Sequence, residues 1–130
     1  MAQATDLDPE DQKILTLART ARTRAYAPYT GNAQGAAVRD ADGRTYAAAT
    51  VEHADSPLAL SALRAAVAAA VASGARSFEA VAVVGDRWTT ASTVDGAVLM
   101  EFGPDTVVLL AADDGTLVRR TTAAGLAGVS

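Results

Sequence analysis

The residues best suited to chemistry fall in two short stretches. In "VEHADSPLALSALRAAVAAAV" (51–71), Glu52, His53 and Asp55 precede an alanine-rich run whose one charged residue is Arg64. In "ASTVDGAVLMEFG" (91–103), Ser92 is followed by Asp95 at the spacing Ser-x-x-Asp. A histidine beside carboxylates can act as a general base, and a carboxylate before a helix can bind a ligand or answer the helix dipole. Neither stretch supplies an activated nucleophile or paired carboxylates. His53 therefore reads as a base lacking a partner, or as a solvent-facing loop residue. Ser-x-x-Asp at a helix start is also a variant of the capping box, which explains both residues structurally.

Composition narrows the chemistry further. The chain has 130 residues, half of them hydrophobic, few aromatic and many alanine, so its elements can pack closely. That length suits one domain over 1–130, with 1–8 as a flexible tail. The absence of cysteine excludes disulfides, thiolate metal ligands and a cysteine nucleophile. One histidine cannot make a multi-histidine metal site within one subunit. The net charge of −4, with scattered arginines, shows no basic stripe, so no nucleic-acid partner is expected. The opening "MAQATDLDPEDQK" has neither a basic region nor an apolar run, and Ala65 to Gly74 is too short to span a bilayer. A soluble, cytoplasmic protein without a membrane partner is the expectation.

The elements that must position these residues can be read in order. Asp8-Pro9-Glu10-Asp11 caps a helix reaching about Tyr26, with Ile14, Leu17, Ala18, Ala21 and Ala25 facing inward. "APYTGN" breaks it, and Asp42-Gly43 between two strand-like runs predicts an antiparallel hairpin. Ser56-Pro57 reads as the start of a second helix ended by Gly74. Leu60, Leu63, Val67 and Val71 form its stripe, with Leu58, Ala62, Ala65, Ala66 and Ala69 alongside. "FEAVAVVGD" predicts a central strand buried on both faces. A short third helix follows from Ser92, then two strands around Asp114-Gly115 and a last helical turn in "TAAGLAGV". The order α-β-β-α-β-α-β-β, with a closing α, predicts an α/β fold. It has one mixed sheet of about five strands with helices on both faces.

This order and three segments resemble the cytidine deaminase family of small homotetrameric zinc nucleoside deaminases. "AYAPYTGNAQGAAV" is similar to the family's A-Y-x-P-Y-S-x-F-x-V-G-A-A segment. "ATVEHADSPLALSALRAA" is similar to x-N-x-E-N-A-S-Y-x-x-x-x-C-A-E-R-x-A. "ASTVDGAVLMEFGPDTVVLL" is similar to P-C-G-x-C-R-Q-x-L-x-E-F and the strand after it. The resemblance implies the family's three-layer α/β/α fold. In that family three cysteines hold Zn²⁺, which activates a water, and a glutamate shuttles protons.

Carried over position by position, the ligand sites read Ser61, Ser92 and Asp95, and the acid/base site reads Leu63. No metal and no cofactor are expected from that set, because hydroxyls are poor zinc ligands near neutral pH and Leu63 cannot move a proton. The family's ribose-binding Asn and Glu read Thr50 and Glu52, and its stacking phenylalanine reads Asn32. Glu52 is thus a ribose ligand, a cap on the following helix or an inter-subunit pairing group. Thr50, Glu52, Asn32 and Arg64 are the ligand-binding candidates. Arg64 stands where the family has an arginine near the thiolates. It is expected to form a hydrogen-bonded ion pair with Asp95, direct or through one water, joining two helices.

The functional expectation is a catalytically degenerate pseudoenzyme acting as a homo-oligomeric (tetrameric or dimeric) binding or scaffold protein, with a nucleoside-like small molecule and a protein as candidate partners. A low-affinity nucleoside or nucleotide sensor is the second reading, and an enzyme of different, metal-independent chemistry the third. Trp88 reads as a partner anchor or as a lid over the pocket.

Overall fold

The computed structural model describes residues 7–86 and 91–129. Trp88 lies outside the described residues. One five-stranded sheet runs in the order β2-β1-β3-β4-β5. Its strands are β1 (Gly35–Asp40), β2 (Thr45–Ala49), β3 (Phe78–Gly85), β4 (Val107–Ala112) and β5 (Leu117–Thr122). β3 and β4 are parallel, and the other neighbouring pairs are antiparallel. The helices are α1 (Pro9–Arg22), α2 (Ala62–Ala72), α3 (Thr93–Met100) and α4 (Ala123–Ala127), with a 3₁₀ turn at Ser56–Leu58. The predicted mixed five-stranded α/β architecture is therefore the observed one.

Alternation along the central strands makes two cores. Val81 and Val83 of β3 join Val38, Val108 and Leu110 under α2, α3 and α4. Ala80, Ala82 and Val84 join Leu109 and Ala111 under Ile14, Leu15 and Ala18 of α1. β3 is buried on both faces, which is why its sequence is almost unbroken apolar. The α1 face uses small residues, so helix and sheet approach closely: a Cβ on Gly35 would lie 2.9 Å from Arg22 Cα.

The Asp42-Gly43 hairpin forms as predicted, with Val38 opposite Tyr46. Buried Asp40 organises it: its Oδ1 accepts the amides of Asp42 and Arg44, and its Oδ2 accepts the Tyr46 hydroxyl.

Two predicted helix limits are corrected. α1 ends at Arg22 rather than near Tyr26, because Tyr26 leaves the helical ladder and its amide bonds Thr50 O instead. Its buried face includes Leu15, while Leu17, Ala21 and Ala25 are only partly covered. The second helix starts at Ser61, not at Ser56-Pro57. Ser56–Leu58 close a separate 3₁₀ turn, and Leu60 then pairs with Val51 in an extended bridge. Leu58 and Leu60 are accordingly exposed and no part of the helical stripe, whereas Leu63 and Val67 are core. Ala69 faces outward and Ala70 inward. α2 ends where expected, with Gly74 at φ +107°, a backbone conformation that side chains disfavour.

Asp11 was legible as a first-turn acid, yet it is buried. Arg39 of β1 reaches it at 3.1 Å and also pairs with Glu79 of β3 at 2.8 Å, tying α1 to the sheet.

Candidate functional site

Short segments converge beside the N-termini of α2 and α3. Residues 27–34 form a loop after α1, and residues 50–52 leave β2. Backbone bonds tie the two together, from Tyr26 N to Thr50 O and from Glu52 N to Tyr26 O. They enclose a pocket of about 410 Å³ that includes Asn32, Thr50, Glu52, Ser56, Ser61 and Arg64. The four predicted ligand-binding candidates thus share one pocket wall. Among the described residues, none of the groups lining it is aromatic.

Glu52 does not cap the following helix. One of its oxygens, Oε1, accepts the Tyr29 amide at 2.8 Å and the Thr30 amide at 3.1 Å, and the other accepts the Thr30 hydroxyl. The Thr30 hydroxyl is the main cause of a lowered Glu52 pKa; partial desolvation opposes it, and the two amides add to it. Thr30 was missed in the sequence. A Thr in a Pro-Tyr-Thr-Gly turn signals only local turn chemistry, and its partner stands 22 positions away.

The Thr50 hydroxyl accepts the Gln34 amide and donates back to Gln34 O, pinning the start of β1. Asn32 is exposed, and its amide bonds the Thr30 hydroxyl. His53 faces solvent, and its Nδ1 accepts the Asp55 amide at 2.9 Å. It lies outside the pocket, and so does Asp55.

Behind the pocket, Ser61, Arg64, Ser92 and Asp95 meet. Ser61 caps α2 by accepting the Arg64 amide, and its hydroxyl donates to Asp95 Oδ1 at 2.7 Å. Ser61 Oγ also accepts Arg64 Nε–H at 3.1 Å. Ser92 and Asp95 form the predicted capping box of α3. Asp95 Oδ2 accepts the Ser92 amide, and Ser92 Oγ accepts the Asp95 amide.

The expected ion pair exists with altered geometry. Arg64 Nε lies 3.5 Å from Asp95 Oδ1, and the Ser61 hydroxyl bridges them. A bidentate grip does not form, because Nε alone points that way and Ser61 occupies the space between. Asp95 is nearly enclosed, with 5% of its side chain exposed, whereas Arg64 retains 36%. Leu63 points away from this cluster into the core.

A family model described as cytidine deaminase-like matches residues 7–115. The chain belongs to the cytidine deaminase-like family. A cytidine deaminase of Sporosarcina psychrophila is 37% identical over 75 residues, 58% of this chain and 55% of that relative. The match therefore spans about half of the relative's length. Among solved structures, the cytidine deaminase of Burkholderia pseudomallei is 34% identical at a TM-score of 0.82. That match covers 88% of this chain and 93% of the other. The Mycobacterium leprae cytidine deaminase is 28% identical at a TM-score of 0.75, covering 93% and 98%. Within a cytidine deaminase-like fold, the meeting point of α2 and α3 is where the sequence resemblance places the metal and acid/base positions.

Proposed function

We propose that this chain is a cytidine deaminase-like protein that does not carry out zinc-dependent deamination and acts as a homo-oligomeric binding or scaffold protein. The observation that carries this reading is the closed hydrogen-bond set around Asp95. A hydroxyl has one proton and two lone pairs, and those of Ser61 are taken by Asp95, Arg64 N–H and Arg64 Nε–H. Both Asp95 oxygens are taken as well. A metal would have to break these bonds and then rely on two hydroxyls and one carboxylate, a set that does not fit Zn²⁺. The same saturation argues against Ser61 as a nucleophile. Leu63, at the acid/base position, has no proton to give.

Support for a homo-oligomer comes from the pocket rim. Tyr26, Tyr29, Val51, Leu58 and Leu60 are exposed there, and backbone bridges join Val51 to both Tyr26 and Leu60. Contiguous exposed apolar side chains are characteristic of a contact surface.

A second reading, a low-affinity nucleoside or nucleotide sensor, is favoured by the pocket itself. Its volume of about 410 Å³ lies within the usual range of small-molecule sites. Relatives named as cytidine deaminases make deamination the reaction to test. Elemental analysis of purified protein should give far less than one Zn²⁺ per chain, and cytidine and deoxycytidine should remain unconverted. Stoichiometric zinc with turnover would overturn the proposal. A thermal-shift panel of nucleosides and nucleotides separates scaffold from sensor, since a bound ligand raises the melting temperature by mass action.

A further inference from the structure

The chemistry of the pocket wall sharpens the sensor reading to a ligand class, and the assignment of that class rests on the sensor reading. Among the described residues, Arg64 is the one cation lining the pocket. Its Nε–H is spent on Ser61, and one Nη2–H makes a long 3.4 Å bond to Ala59 O. Among the described residues, the remaining N–H groups of Nη1 and Nη2 have no acceptor. Nη1 and Nη2 thus each keep an N–H to offer, and a guanidinium can present such donors as a fork to two oxygens of one group.

The nearby carboxylates do not compete for that fork. Glu52 directs both oxygens at Tyr29 and Thr30. Asp95 sits behind, bonded to Ser61 and Ser92 on the Nε side of the guanidinium. None of the described residues lining the pocket carries an aromatic ring on which a base could stack, a contact worth about 1–3 kcal/mol elsewhere. The lining side chains are hydroxyls, two amides, the Glu52 carboxylate already bound to its loop and one guanidinium, with Pro57, Ala59 and Leu60 as apolar cover.

We propose that this pocket takes a small anionic metabolite whose phosphate or carboxylate oxygens bind the outer N–H fork of Arg64. The nucleobase, if there is one, is secondary. Because the chain carries a net charge of −4, its overall field does not draw anions in. Recognition is therefore local, and binding should weaken as salt screens the one charge involved.

Calorimetric titration and thermal shift, in a phosphate-free buffer with ionic strength matched by NaCl, test this on the full chain. The probes are inorganic phosphate, succinate, cytidine and cytidine 5′-monophosphate. The expected result is saturable binding of the monophosphate at least tenfold tighter than cytidine, with phosphate or succinate alone also stabilising. Comparing those two anions tells phosphate from carboxylate preference. Arg64→Lys keeps the charge but loses the fork, and should weaken anion binding at least tenfold. Asn32→Asp adds a negative charge to the wall without touching the Asp95 cluster, so it should do the same in a protein of unchanged melting temperature. Cytidine binding as well as its monophosphate would leave the pocket a nucleoside site and overturn the anion proposal. Absence of binding by all four probes would overturn the sensor reading and this proposal together. Anion binding unchanged in both variants would place the anion elsewhere and overturn this proposal alone.

Discussion

A carboxylate that accepts several hydrogen bonds releases its proton more readily than one in water, and Glu52 accepts them from Tyr29 and Thr30. Its folded pKa lies below the ordinary value of 4.5. A depressed carboxylate pKa means the anchoring is fully present above that value and is lost as pH falls through the folded pKa. Amide resonances of Tyr29 and Thr30 should therefore move with a midpoint below 4.5, and Glu52→Gln should speed their hydrogen exchange at neutral pH. A midpoint at or above 4.5 would show that the carboxylate does not hold the loop. Asp95 acts at the same scale on different partners. Asp95→Ala removes the acceptor of the Ser61 hydroxyl and the Ser92 amide, at about 1–3 kcal/mol. The loss stays below that for a fully buried ion pair, because Arg64, a third exposed, regains water when Asp95 goes. A double-mutant cycle of Arg64→Ala and Asp95→Ala, read by urea unfolding, should give a coupling above about 0.5 kcal/mol. Strict additivity would mean that Ser61 alone connects the two helices.

At the scale of elements, α3 and α4 meet through a glycine. A Cβ on Gly96 would lie 2.7 Å from both Ala127 Cα and Leu126 C, closer than atoms can pack. Gly96→Ala would improve helix propensity by about 1 kcal/mol. Overpacking against α4 backbone costs about 1–3 kcal/mol, so the net effect is destabilising. Urea denaturation checks the sign, and a more stable Gly96→Ala protein would mean that α4 shifts freely. The position matters for the site, because α3 carries Ser92 and Asp95 at its first turn. A helix displaced by the extra methyl would lengthen the Ser61–Asp95 bond.

For the whole molecule, the exposed apolar rim of Tyr26, Tyr29, Val51, Leu58 and Leu60 calls for a cover. A homo-oligomer is the expected cover, with a tetramer first among the alternatives. Light scattering at micromolar concentration should give a mass of several chains of 13.2 kDa. A monomer would remove the main support for the scaffold reading and leave the rim to a different partner. Among the described residues, no helix is long and apolar enough to cross a membrane.

Periodicity and turn chemistry made much of this protein legible in one dimension. The Asp42-Gly43 hairpin, the unbroken apolar run of β3, the Ser92–Asp95 capping box and the closing α4 are all written in residues a few positions apart. The local sequence therefore determined them. The resemblance also brought Ser61, Ser92, Asp95 and Arg64 to one place. What the sequence left undecided depends on partners far along the chain. Ser56-Pro57 has the chemistry of a helix start, yet the pairing of Leu60 with Val51 keeps the chain extended until Ser61. Glu52 could equally cap a helix or face a ligand, and only the approach of the 27–31 loop turned it to Tyr29 and Thr30. The Arg64–Asp95 pair follows from charge, but the bridging Ser61 hydroxyl follows from where two helix ends meet. A hydrogen bond needs its donor and acceptor within about 3 Å, and tertiary packing alone sets such a distance between residues as far apart as 61 and 95.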